Sequence, residues 1–180
     1  MIICITGLPG SGKSAVAIAL KQELEQKGRR VRHYTTDWMR LKLFPHLETD
    51  KSQLGRDFTP DELERSYNAL YMLFGELLEA DKTLVLLTDG TYRKESQRNS
   101  LRQIAARHSV PFALIRVVVD EDTMLARLQQ RLEAGGGSGP DYYLAAKAQY
   151  EEPTGAVHFI ENAGGIETLK EKVKRLAGLL

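Results

Sequence analysis

Gly7-Leu8-Pro9-Gly10-Ser11-Gly12-Lys13-Ser14 satisfies the pattern G-x-x-x-x-G-K-[ST] in full and follows the apolar run Met1-Ile2-Ile3-Cys4-Ile5-Thr6. A strand that enters a glycine-rich turn and leaves as a helix is a phosphate cradle: backbone N–H groups converge on anionic oxygens, and the positive end of the helix points at them. At Gly7, Gly10 and Gly12 a Cβ would obstruct the positive φ angles and the close backbone approach. Leu8, Pro9 and Ser11 complete the loop, Lys13 is placed to reach the β- and γ-phosphates of a nucleoside triphosphate, and Ser14 offers a hydroxyl to Mg²⁺. The helix that must follow is present, because Val16, Ala17, Leu20 and Leu24 form one stripe and Gly28 ends it.

The rest of the chain fits such a loop. Its 180 residues are enough for one domain spanning 1–180 with its own core, and 25 Lys+Arg against 24 Asp+Glu leave a net charge of +1. That balance argues against a dedicated nucleic-acid or membrane surface. The single cysteine, Cys4, sits in the first apolar run and reads as a buried small hydrophobe. The N-terminal run is too short for a signal peptide, and no stretch approaches a membrane span, so a cytoplasmic protein is expected.

Arg29 to Thr36 reads as a second strand ending at Asp37, and Asp37-Trp38-Met39-Arg40 opens a short helical pattern. A carboxylate and a guanidinium one turn apart then lie at the edge where open α/β sheets bind ligands; the alternative is that Asp37 merely caps the helix. Phe44 to Phe58 is weakly patterned and reads as an irregular excursion. Thr59-Pro60-Asp61-Glu62 is a capping box with proline at N1. It opens a long helix whose Leu63, Tyr67, Leu70, Phe74 and Leu77 form a core stripe widened by Tyr71. Base stacking on these tyrosines is the alternative.

Thr83 to Leu87 is a parallel-strand run ending in Thr88-Asp89, and an acid there suits Mg²⁺ or its water, or caps a helix. Lys94 to His108 forms the next helix, with His108 at its end. Phe112 to Val119 is a fourth strand followed by Asp120-Glu121-Asp122, acids suited to a helix start. On that helix Leu125, Leu128 and Leu132 face inward, while Arg127 and Arg131 stand four apart, either as a solvated face or as cations for a triphosphate. Gly135 to Gly139 follows as a hinge, then a helical segment over Tyr142 to Tyr150, so that 124–150 reads as a closing lid. Val157 to Ile160 is a fifth strand, and Ile166, Leu169, Val173 and Leu176 face inward from the last helix. The alternation implies a right-handed parallel α/β sheet.

With these residues assembled, the chain resembles the P-loop kinases of the nucleoside-phosphate-kinase group, in particular the polynucleotide-kinase-like and adenylylsulfate-kinase-like branch. The resemblance covers nearly the full length. It rests on the loop at 7–14, Asp37-x-x-Arg40, Asp89-Gly90-Thr91-Tyr92 with the later Arg98, and Arg127-x-x-x-Arg131. It implies a three-layer fold with five parallel strands in the order 2-3-1-4-5, a helical lid, and ATP with Mg²⁺. It also implies Asp37 as general base, Arg40 as anchor for an anionic part of the acceptor, and Asp89 and Arg98 on the substrate side. The expected reaction is transfer of the ATP γ-phosphoryl group to a hydroxyl, with Lys13, Arg127 and Arg131 spreading the charge. A nucleotide-driven switch with no phosphorylated acceptor is the rival.

Overall fold

The computed structural model describes residues 1–44, 59–135 and 139–180; most of the Phe44–Phe58 excursion and the centre of the Gly135–Gly139 hinge lie outside the described residues. In chain order the elements are β1 (Ile2–Thr6), α1 (Lys13–Gln26), β2 (Val31–His33), α2 (Thr36–Leu43), α3 (Pro60–Ala80) and β3 (Val85–Asp89). They continue with α4 (Glu95–Arg107), β4 (Phe112–Val118), α5 (Glu121–Glu133), α6 (Pro140–Ala148), β5 (His158–Glu161) and α7 (Ile166–Ala177). The five strands are parallel in the order β2-β3-β1-β4-β5, as the resemblance implied.

Because alternate residues of a strand face opposite ways, β1 divides its side chains between two cores. Ile3 and Ile5 join Val85, Leu87, Ile115 and Val117 beneath α1 and α7, where Val16, Leu20 and Val173 close the layer. Ile2 and Cys4 join Leu86 and Leu114 on the other face, covered by Leu70, Phe74 and Leu78 of α3 and Leu101 and Ile104 of α4. Burial pushes the Cys4 thiol far above its usual pKa, in keeping with a packing role. A third cluster, Met124, Leu128 and Tyr143 with Leu8, seats the α5–α6 pair against the phosphate loop.

The local signals act as their chemistry requires. Thr59 and Glu62 form the capping box of α3, Asp120 caps α5 by accepting from Thr123 N, and Gly28 follows α1 at φ 76°. His108 is the C-cap of α4 and lies 3.4 Å from Glu79. Three stripes deviate at their ends. Leu63 faces a cleft, Tyr67 lines that cleft while packing against the core and the Tyr92 ring, Leu78 is fully buried beside Leu77, and Leu132 and Ile166 are exposed.

Candidate active site

The C-terminal ends of β1 and β3 open onto a cleft of about 740 Å³. Its walls come from the phosphate loop, the start of α2, the first half of α3, the segment after β3, and α5 and α6. Gly12, at φ 86°, is the N-cap of α1, and no side chain caps that helix, so its first N–H groups are left for a ligand. The glycine requirement has a second cause beyond the ligand. A Cβ on Gly10 would come within 2.6 Å of Met124 O, and one on Gly12 would collide with the Asn162 amide. The protein itself therefore packs tightly against the outer side of the loop, and Asn162 Nδ2 donates to Ser11 O at 2.8 Å.

Lys13 folds back to donate to Leu8 O at 2.9 Å. Burial pushes its ammonium down to about 8, opposed by the carboxylates of Asp89 and Asp37 and reinforced by Arg131. A bound triphosphate would raise that value again, so the protonated form is the one that binds. Affinity for an ATP analogue with Mg²⁺ should therefore be steady near pH 7 and fall as pH rises through about 8, approaching about tenfold per pH unit. Titrations on wild type and on Lys13→Met check this, since the methionine variant lacks the titrating group and its affinity should stay flat over the same range.

Asp89, only 4% exposed, accepts from Ser14 Oγ at 2.8 Å through one oxygen and meets His33 Nε2 at 2.6 Å through the other. It is not a helix cap, because α4 begins after Lys94. Ser14 and Asp89 are hard oxygen donors at the phosphate loop, and among the described residues no cluster of three or more His, Cys, Asp or Glu could hold a metal alone. That donor set fits Mg²⁺, which binds through one or two carboxylates together with substrate phosphates. His33 carried no sequence signal, since its partner lies 56 residues away on the neighbouring strand.

At α2 the capping alternative for Asp37 falls away. Thr35 is the N-cap and accepts from Trp38 N, leaving Asp37 in the first turn, 64% exposed and facing the cleft. Arg40 pairs with Asp37 and also donates to Thr36 O and Thr36 Oγ1 at 3.2 and 3.0 Å. It is 8% exposed, lines the cleft, and holds the Asp37 carboxylate in place.

Two further expected site residues are engaged by the protein itself. Arg98 is fully buried and donates to Tyr92 O, Glu151 O and Glu95 Oε2 at 2.5 to 2.7 Å, leaving no face for an acceptor. A buried guanidinium must find such partners, and the adjoining loops supply them. Arg127 and Arg131 part company as well. Arg131 lines the cleft, whereas Arg127 braces the outer side of the loop by donating to Gly10 O and Asn162 O at 3.3 and 3.1 Å.

This arrangement defines the class: the fold and phosphate loop are those of a P-loop kinase. Residues 2–153 match the family described as AAA domain, and the chain belongs to it. A probable adenylyl-sulfate kinase of Aeropyrum pernix is 28% identical over 155 residues, covering 86% of this chain and 74% of that protein. Chaetomium thermophilum Kti12 in complex with ADP-AlF3 superposes with a TM-score of 0.75 at 18% identity, over 98% of this chain and 96% of the other. The Mycobacterium tuberculosis APS kinase CysC in complex with AMPPNP and APS gives 0.69 at 19% identity, again over 98% and 96%. Among the described residues no helix is long and apolar enough to cross a membrane.

Proposed function

We propose that the protein is an ATP-dependent phosphotransferase that moves the γ-phosphoryl group to a hydroxyl of a nucleotide, a polynucleotide end or a small metabolite. The observation that carries this reading is the placement of Asp37, an exposed carboxylate relieved of any capping duty and set in the cleft that contains the phosphate loop. Family membership and the adenylyl-sulfate kinase likeness support ATP-dependent transfer. An ATP-using site and a buried free thiol also fit a cytoplasmic setting.

In the proposed reaction the acceptor oxygen forms a bond to the γ-phosphorus as the bond to the β,γ-bridging oxygen breaks. The acceptor proton passes to Asp37, and ADP leaves with the bond's electron pair. Lys13 would leave Leu8 O for the phosphates, and Arg131 would approach from the α5–α6 lid; Arg127 keeps to bracing the loop. Ser14 and Asp89 would hold Mg²⁺, which when bound neutralises phosphate charge. Little covalent chemistry is required of the protein, so positioning and charge carry the rate.

A screen of ATP consumption and phosphorylated products across nucleosides, oligonucleotide ends, adenylylsulfate and sugars tests this reading. A phosphorylated product is expected from one class. ATP hydrolysis unaffected by every acceptor would favour the switch.

A further inference from the structure

The wall of the cleft holds a cation that the reaction scheme above does not use. Arg93 is half-buried in the wall and, among the described residues, its guanidinium has no hydrogen bond or ion pair with the protein. A half-desolvated guanidinium with five idle donors is costly to keep unless something else meets it. Arg40 contrasts with it, since its donors are turned onto Thr36 and Asp37.

The segment that carries Arg93 is built to hold it still. Tyr92, with no exposed surface, stands at φ 41°, and its hydroxyl pairs with Thr88 Oγ1 at 2.7 Å. The Tyr92 carbonyl is gripped by Arg98 at 2.5 Å and the Arg93 carbonyl by Glu151 N at 2.8 Å, while the Glu151 carboxylate accepts from Glu95 N at 2.6 Å. A left-handed tyrosine persists only where its surroundings over-determine it, and such strain gathers at ligand sites. Arg98 is thus a positioning residue for this segment.

The rest of the wall suits an anion. Burial pushes Tyr67 up to about 12, so its phenol stays a neutral donor in the same wall as Arg93. Lys94 adds an exposed cation, and Glu64 on α3 is an exposed, solvated acid.

We infer that Arg93 is the receptor for an anionic group on the acceptor, so that the hydroxyl which is phosphorylated belongs to a molecule already bearing a phosphate, sulfate or carboxylate. The planar fork of arginine matches such groups bidentately. This rests on the phosphotransferase reading, and the experiment separates the two. Protein saturated with AMPPNP and Mg²⁺, so that the triphosphate subsite is filled, is titrated calorimetrically with inorganic phosphate and with sulfate.

Wild type should bind one anion, Arg93→Gln should bind it about 10- to 100-fold more weakly, and Arg93→Lys should fall between, as loss of charged hydrogen bonds predicts. AMPPNP affinity should be the same in all three. Anion binding that is absent in wild type, or equal in wild type and Arg93→Gln, overturns the inference. Failure of wild type to bind AMPPNP would instead overturn the phosphotransferase reading. Competition against bound phosphate by adenylylsulfate and by a sugar acid then distinguishes a nucleotide source of the anion from a carbohydrate one.

Discussion

Replacing Lys13 by alanine is expected to slow phosphoryl transfer about 10²- to 10³-fold, the usual cost of removing one preorganised charge donor from a transition state. The surroundings of Lys13 explain why so much rests on one amine. The Lys13 ammonium is held by the neutral Leu8 carbonyl at 2.9 Å, and burial lowers its pKa to about 8, so its charge is poorly compensated until an anion arrives. Exchange of a carbonyl for phosphate oxygens turns an ordinary hydrogen bond into a charge-assisted one, and it strengthens as charge develops on the γ-oxygens. Removing a partly desolvated ammonium costs the empty fold little. The melting temperature of Lys13→Ala should therefore equal or exceed that of wild type while single-turnover rates fall. Wild-type turnover by the folded variant would reject the role given to the loop.

How much of this was legible in the chain depended on how local each cause is. The phosphate loop could be read directly because its chemistry is confined to eight consecutive residues, Gly7 to Ser14. The sheet covered on both faces was legible in the continuous apolar run Thr83 to Leu87, and its helical cover in the Val16, Ala17, Leu20, Leu24 stripe, whose members are all buried. Stripe ends were another matter. α3 has 21 residues and is about 30 Å long, whereas the five residues of β1 span about 17 Å. One end of α3 must overhang the sheet, and Leu63 turns into the cleft as a result, with Tyr67 at the boundary between cleft and core. Periodicity fixes which side of a helix is apolar but not how far along it the partner layer extends.

Side chains with remote partners were the least legible. Arg98 sits in a polar-looking helix, where the resemblance implied a substrate-side role, and only the carbonyls of Tyr92 and Glu151 reveal why it is buried. His33 and Asp89 meet only because β2 and β3 are neighbours. The fork at Asp37, by contrast, turned on a neighbour in plain sight. Thr35 lies two residues earlier and is a strong N-cap type, which leaves the aspartate in the first turn, where a carboxylate also suits the helix dipole.

Asp37→Asn should slow transfer to the true acceptor by about 10² to 10⁴, the range that a positioned general base supplies, with AMPPNP affinity nearly unchanged. The structure makes this substitution a clean probe. Asparagine retains an oxygen for Arg40 and matches the carboxylate in shape, so the hydrogen bond that fixes its orientation survives. Thr35, not Asp37, caps α2, so capping is not disturbed. What disappears besides the base is one charge in the first turn of a helix, worth about 0.3 to 1 kcal/mol, and the counter-charge of the largely buried Arg40, which keeps a neutral hydrogen bond in its place. A melting temperature within a few degrees of wild type, a much reduced single-turnover rate and an intact nucleotide complex would together place Asp37 on the reacting proton. Transfer at the wild-type rate by a folded Asp37→Asn protein would reject the base assignment. Hydrolysis of ATP at equal rates by both proteins, with no acceptor phosphorylated by either, would make the nucleotide-driven switch the stronger reading of the same cleft.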